Sequence, residues 1–142
     1  MQTNVYCRTL NLILRFSQPV YMASNESDME IKLLIENMNN NAREISADLQ
    51  FNPELMQFIQ GEAGEYAAEY FKAAVNEAGS AVRLTIGLSN NAASKEKGVF
   101  ATLRFRATKA GISNVVYQNP SIKNAASEVV SPQVQAARVI IQ

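Results

Sequence analysis

Acid–base or nucleophilic chemistry in this 142-residue chain would have to run without histidine, which is absent, and with one thiol, Cys7. The missing imidazole excludes His-dependent triads and removes the commonest general base and metal ligand. A single Cys without His builds neither a common zinc site nor an internal disulfide. Carboxylates, lysines and tyrosines remain. Glu62, Glu65 and Glu69 invite a reading as paired catalytic acids. Glu65 and Glu69 are four apart, however, which on a helix is a like-charge pair facing solvent, and nothing else in the chain supplies a second catalytic wall. Asp28 with Glu30, or Asp48 with Asn52, would offer hard oxygen donors to calcium, but no loop concentrates enough of them. Arg104, Arg106 and Lys109 suggest a phosphate or acidic polymer, although three cations in a neutral domain more often form a solubilising sheet face. Tyr66, Tyr70 and Phe71 could make a sugar-stacking platform, without any Trp to supply the broadest surface. The chain is therefore expected to be no enzyme, to hold no metal and to need no cofactor.

Composition narrows the partners. Thirteen basic and thirteen acidic residues cancel, so no overall field draws in nucleic acid or an anionic membrane. No apolar run approaches the roughly 20 residues of a membrane helix. The start, Met1-Gln2-Thr3-Asn4-Val5-Tyr6-Cys7, lacks the basic opening and apolar core of a secretory leader, which fits a module cut from a longer protein. The length suits one domain that buries about two thirds of its unfolded surface, with no need of a disulfide or metal framework. Residues 1–8 read as a flexible tail and 9–142 as the domain.

The elements that must position any site read almost throughout with a period of two. In the central stretch, Ile45, Ala47, Leu49 and Phe51 alternate with Ser46, Asp48 and Gln50, until Asn52-Pro53 stops the ladder. Leu10, Leu12, Leu14 and Phe16 share one face of an earlier strand. Met29, Ile31, Leu33 and Ile35 share one face of the next, and Asn37 to Asn41 turns the chain into the central strand. Residues 62–70 are rich in helix formers and predict at most one short helix at about 64–69. Residues 70–75 read as strand, Asn76-Glu77-Ala78-Gly79 as a hairpin turn, and Val82, Leu84, Ile86 and Leu88 as the inward row that follows. After a polar connection at 89–98, Val99, Ala101, Leu103, Phe105 and Ala107 are expected inside. Ser113 to Tyr117 makes a short strand broken by Asn119-Pro120, and 137–141 closes the domain. About nine short strands separated by turn signals predict an all-β antiparallel sandwich.

Two stretches resemble the cohesin family, modules that dock dockerins in cellulosome scaffolds and related surface proteins. Ala47-Asp48-Leu49-Gln50-Phe51-Asn52-Pro53-Glu54-Leu55 is similar to the family's strand followed by Asp-Pro-x-x-Leu, with Asn52 in place of the usual Asp. Gly98-Val99-Phe100-Ala101-Thr102-Leu103-Arg104-Phe105-Arg106-Ala107-Thr108-Lys109-Ala110-Gly111 resembles its Gly-x-Leu-Ala-x-Leu-x-Phe-x-Ala-x-x-x-Gly segment. Carbohydrate-binding modules of related topology share parts of both patterns. The resemblance implies a nine-stranded jelly-roll sandwich whose third, fifth, sixth and eighth strands present a docking face. By position those residues are Glu44, Ser46, Asp48 and Gln50 on the third strand, and Tyr70 and Lys72 on the fifth. Arg83, Thr85 and Gly87 lie on the sixth and Tyr117 on the eighth. Gly87 would let a partner approach closely.

The function implied is docking of a dockerin-type protein, itself carrying the calcium, as part of an extracellular or cell-surface protein. Tyr70 or Tyr117 would serve as apolar anchor, with Asp48 and Arg83 setting orientation. A carbohydrate-binding module, with a polysaccharide as ligand, is the alternative, and a structural spacer or secretion-apparatus module the third reading. Sugar binding predicts a ladder of exposed rings, whereas protein docking predicts a mixed plateau of polar and small residues.

Overall fold

A computed structural model describes residues 12–36, 42–64, 67–88 and 97–142. Among them every regular element is a strand. One sheet contains β1 (Ile13–Phe16), β3 (Asp28–Glu36), β5 (Met56–Ala63), β8 (Lys97–Ala107) and β11 (Gln133–Val134), in the spatial order β11-β1-β3-β8-β5. The other contains β2 (Val20–Ala23), β4 (Ala42–Gln50), β6 (Ala67–Val75), β7 (Ala81–Leu88), β9 (Gly111–Asn124) and β12 (Ala137–Ile141), in the order β2-β12-β9-β4-β7-β6. A two-residue β10 (Val129–Val130) adds to β9. Pairing is antiparallel except where β1 meets β11 and β2 meets β12. The result is the expected jelly-roll sandwich, with twelve strands among the described residues where about nine were expected. The excess arises from β2, between the first two expected strands, and from short closing pieces.

The alternation seen in the sequence becomes the core. Leu12, Leu14, Phe16, Ile31, Leu33, Ile35, Ile45, Ala47, Leu49, Val82, Leu84, Ile86 and Leu88 are buried, as are Ala101, Leu103, Phe105 and Ala107. Phe105 meets Phe51 edge-on at 5.0 Å and Phe58 at 5.6 Å between ring centroids, a geometry aromatic quadrupoles favour. Phe51 follows β4 and Phe105 belongs to β8, so this trio ties one sheet to the other.

Three expectations are corrected. The short helix at 64–69 does not form where the chain is described: 67–75 is strand β6. Phe71 and Ala73 pack against the core there, opposite Ile86 and Leu84, and that burial outweighs a weak helix propensity. Asn119-Pro120 does not end the eighth expected strand, because β9 runs on to Asn124. Pairing shifts from Asp48↔Gln118 to Ser46↔Ser121, so Asn119 and Pro120 together oppose Ala47 as a bulge. Asn119 takes the left-handed conformation (φ 53°) that Asn tolerates, and Pro120 sits where the ladder needs no N–H. The third correction concerns Tyr117 and follows with the site. The expected hairpin at 76–79 is present, with Gly79 at φ 70° and the Asn76 side chain accepting from Ser80 and Ala81 N–H. The tail 1–8 with Cys7, Leu10, the 37–41 turn, Glu65, Tyr66 and the 89–96 part of the polar connection lie outside the described residues.

Candidate functional site

The outward side of β6, β7, β4 and β9 is built in transverse rows, because side chains in register on neighbouring strands share a face. The first row is Tyr70, Gly87, Glu44 and Lys123. The second is Lys72, Thr85, Ser46 and Ser121, and the third Ala74, Arg83 and Asp48, followed by Gln118. Gln50 begins a fourth with Ala81 and Val116.

In the first row the Tyr70 ring lies directly over Gly87, where a Cβ would stand only 2.4 Å from the ring. The glycine makes room for the aromatic side chain. Tyr70 also donates its hydroxyl to Glu44, and Lys123 Nζ stands 4.0 Å from the same carboxylate. In the third row Asp48 accepts from Arg83 Nε at 2.8 Å and Nη2 at 3.3 Å, and from Asn119 Nδ2 at 3.2 Å. The Asp48 side chain is 18% exposed and that of Arg83 70%, so the carboxylate is covered while the guanidinium faces solvent. Thr85, Ser46 and Ser121, between these rows, are short and half-buried. They floor a shallow trough about 10 Å long, two gaps at the roughly 4.8 Å spacing of adjacent strands. Its bounding rows stand about 13 Å apart, four residues along a strand.

Nine of the ten candidate residues therefore share this face: Glu44, Ser46, Asp48, Gln50, Tyr70, Lys72, Arg83, Thr85 and Gly87. Tyr117 does not. It is buried, stacks on Phe16 at 4.9 Å, and donates its hydroxyl to the Arg15 carbonyl at 2.8 Å. Burial pushes its phenol well above the ordinary range, with the neighbouring Tyr21 adding to the rise and Arg15 opposing it. Adjacent Val115 and Val116 leave the inward parity of β9 ambiguous in the sequence. The bulge then reverses it, so that both Tyr117 and Ile122 reach the core. The outward residues that sequence reasoning missed on β9 are Gln118, Asn119, Ser121 and Lys123, all hidden by reading the strand as ended at Tyr117.

Beside this face, Gln50, Asn52, Ile112, Asn114 and Val116 border an open hollow of about 420 Å³. Ser113 at its base accepts from Asn52 N–H at 3.0 Å and donates to the Asn114 carbonyl at 3.3 Å. Asn52 Oδ1 accepts from Glu54 N–H at 2.9 Å, the role an Asp there would fill, so the turn tolerates the exchange.

The other candidate chemistries are taken up elsewhere. Arg104 pairs with Glu30 at 3.4 Å and Arg106 with Asp28 at 3.2 Å, on the opposite sheet. This makes a mixed-charge face from the supposed phosphate row and also engages the supposed calcium ligands. Tyr70 points outward and Phe71 toward the core, so these two cannot form one stacking platform. Among the described residues no three or more Cys, Asp or Glu side chains gather as metal ligands, and no helix is long and apolar enough to cross a membrane.

Fold and face together define a two-sheet jelly-roll module with a polar, small-residue plateau on one sheet. The chain belongs to the cohesin family: the cohesin domain matches residues 22–141. No curated protein matches the sequence. Solved structures of the same fold include a chain of a type I cohesin–dockerin complex from Clostridium thermocellum, with TM-score 0.78 and 13% identity over 94% of each chain. A non-cellulosomal cohesin from the archaeon Archaeoglobus fulgidus has TM-score 0.77 and 17% identity, covering 93% of this chain and 91% of its own. The cohesin module of a family 33 glycoside hydrolase from Clostridium perfringens has TM-score 0.78 and 12% identity, covering 94% and 98%.

Proposed function

We propose that this chain is a non-catalytic docking module that binds a dockerin-type protein through the outward face of β9, β4, β7 and β6. Family membership over residues 22–141 carries this reading, and similar chains come from cohesin–dockerin complexes. The contact set is Glu44, Ser46, Asp48, Gln50, Tyr70, Lys72, Arg83 and Thr85, with Tyr70 as apolar anchor; Gly87, buried beneath that ring, makes room for the anchor and not for the partner as expected. The partner brings the calcium. The docking unit is residues 9–142, and it works outside the cell or on its surface as part of a longer protein.

Titration against a panel of dockerin modules, with calcium and again after chelation, tests the reading. Calcium-dependent binding that is lost in the Asp48→Ala, Arg83→Ala double variant supports both partner class and face. Failure to bind any dockerin, with retention on an insoluble polysaccharide, overturns it in favour of a carbohydrate-binding module.

A further inference from the structure

The charges on this face are unequally available, although the chain as a whole is neutral. Its described carboxylates are Glu44 and Asp48, and both are engaged from within. Glu44 receives the Tyr70 hydroxyl and faces Lys123. Asp48 takes three hydrogen bonds from Arg83 and Asn119. The cations are more open. Lys72 is exposed and forms no ion pair among the described residues. Arg83 spends Nε and one Nη2 proton on Asp48, which leaves three of its five N–H donors directed to solvent. Lys72 opposes Thr85, two residues from Arg83 on the adjacent strand. This places the two cations as diagonal neighbours about 7–8 Å apart on one face. Other described carboxylates nearby, Glu77 and Glu128, lie in turns at opposite ends of the strands, and Glu128 is held by Asn124.

Resting on the docking function proposed above, we infer that the partner presents an acidic segment to this face, with carboxylates received by Lys72 and the outer donors of Arg83. The Asp48–Asn119 side acts as a brace that fixes the guanidinium plane, so that little side-chain freedom is lost on binding. A basic partner surface would meet two open cations and two carboxylates already engaged by groups of this chain, a mismatch that costs affinity.

The test uses the same calcium-loaded dockerin panel, sorted by whether each member's exposed helical surface is acidic or basic, with affinity measured at low and high salt. Acidic members should bind preferentially and weaken as salt rises. Lys72→Glu should reduce their affinity by about tenfold or more, while Lys72→Arg preserves it. Lys72 is exposed and outside the core, so circular dichroism of Lys72→Glu should match the parent. Calcium-dependent binding confined to basic members, or strengthened by Lys72→Glu, overturns the acidic-partner inference and leaves docking itself intact. No binding by any member overturns both.

Discussion

Tyr117 and Tyr70 show how one residue type serves opposite ends of the architecture. Tyr70 has its ring at the surface over Gly87, whereas Tyr117 fills the core between Phe16 and the Arg15 carbonyl. Sequence reasoning treated both as anchors, because a Tyr in a strand suits either face. Only the parity of β9 separates them. The buried phenol has a measurable consequence. Its folded-state pKa lies above the ordinary value of 10.0, so the stability it contributes is fully present below that pH and is lost as pH rises through the folded value. Phenolate absorbance should show Tyr117 ionising only with alkaline unfolding. Tyr117→Phe should lower stability at neutral pH by about 1 kcal/mol, through loss of the hydrogen bond to Arg15. The same variant should show a shallower decline in denaturation midpoint at alkaline pH. Ionisation of Tyr117 in the native protein, ahead of alkaline unfolding, would contradict this account.

At the scale of elements, β4 and β7 were legible because each alternates without interruption, and every outward residue assigned to them stands where the pattern put it. β9 was legible only in its first half. Its bulge depends on long-range pairing with β4, whereas Asn-Pro read locally signals a stop. The bulge also brings Asn119 beside Asp48. Two substitutions separate its backbone role from its side-chain role. Asn119→Gly keeps access to positive φ, and should leave stability within about 0.5 kcal/mol of the parent while loosening Asp48 and Arg83. Asn119→Val places a β-branched residue in the left-handed region, and should cost about 1–2 kcal/mol by chemical denaturation. Equal losses in both would mean that the hydrogen bond, not the backbone, holds the bulge. β6 shows the reverse limitation: Ala and Glu content favours helix locally, and the decisive contacts come from Ile86 and Leu84 across the ladder.

At the scale of the molecule, the sandwich depends on contacts that cross between sheets. Phe105 is fully buried and touches rings from both sides of the core. Phe105→Ala should cost about 3–5 kcal/mol, a large part of the roughly 5–15 kcal/mol available to such a domain. The readout is the midpoint of urea unfolding. A loss below about 1 kcal/mol would show that the neighbouring rings collapse into the space.

The two parallel pairings, β1 with β11 and β2 with β12, join segments from opposite ends of the chain. Neither early strand can find its parallel mate until nearly the whole module is available. Until then the backbone of β2 that will bond β12 has no strand beside it. Closure must bridge the longest loops the chain contains, which places the module among the slow folders with millisecond-to-second kinetics. During synthesis, β11 and β12 are made long after the β1 and β2 strands they seal, so the time spent unsealed is set by translation rather than by the intrinsic speed of strand formation.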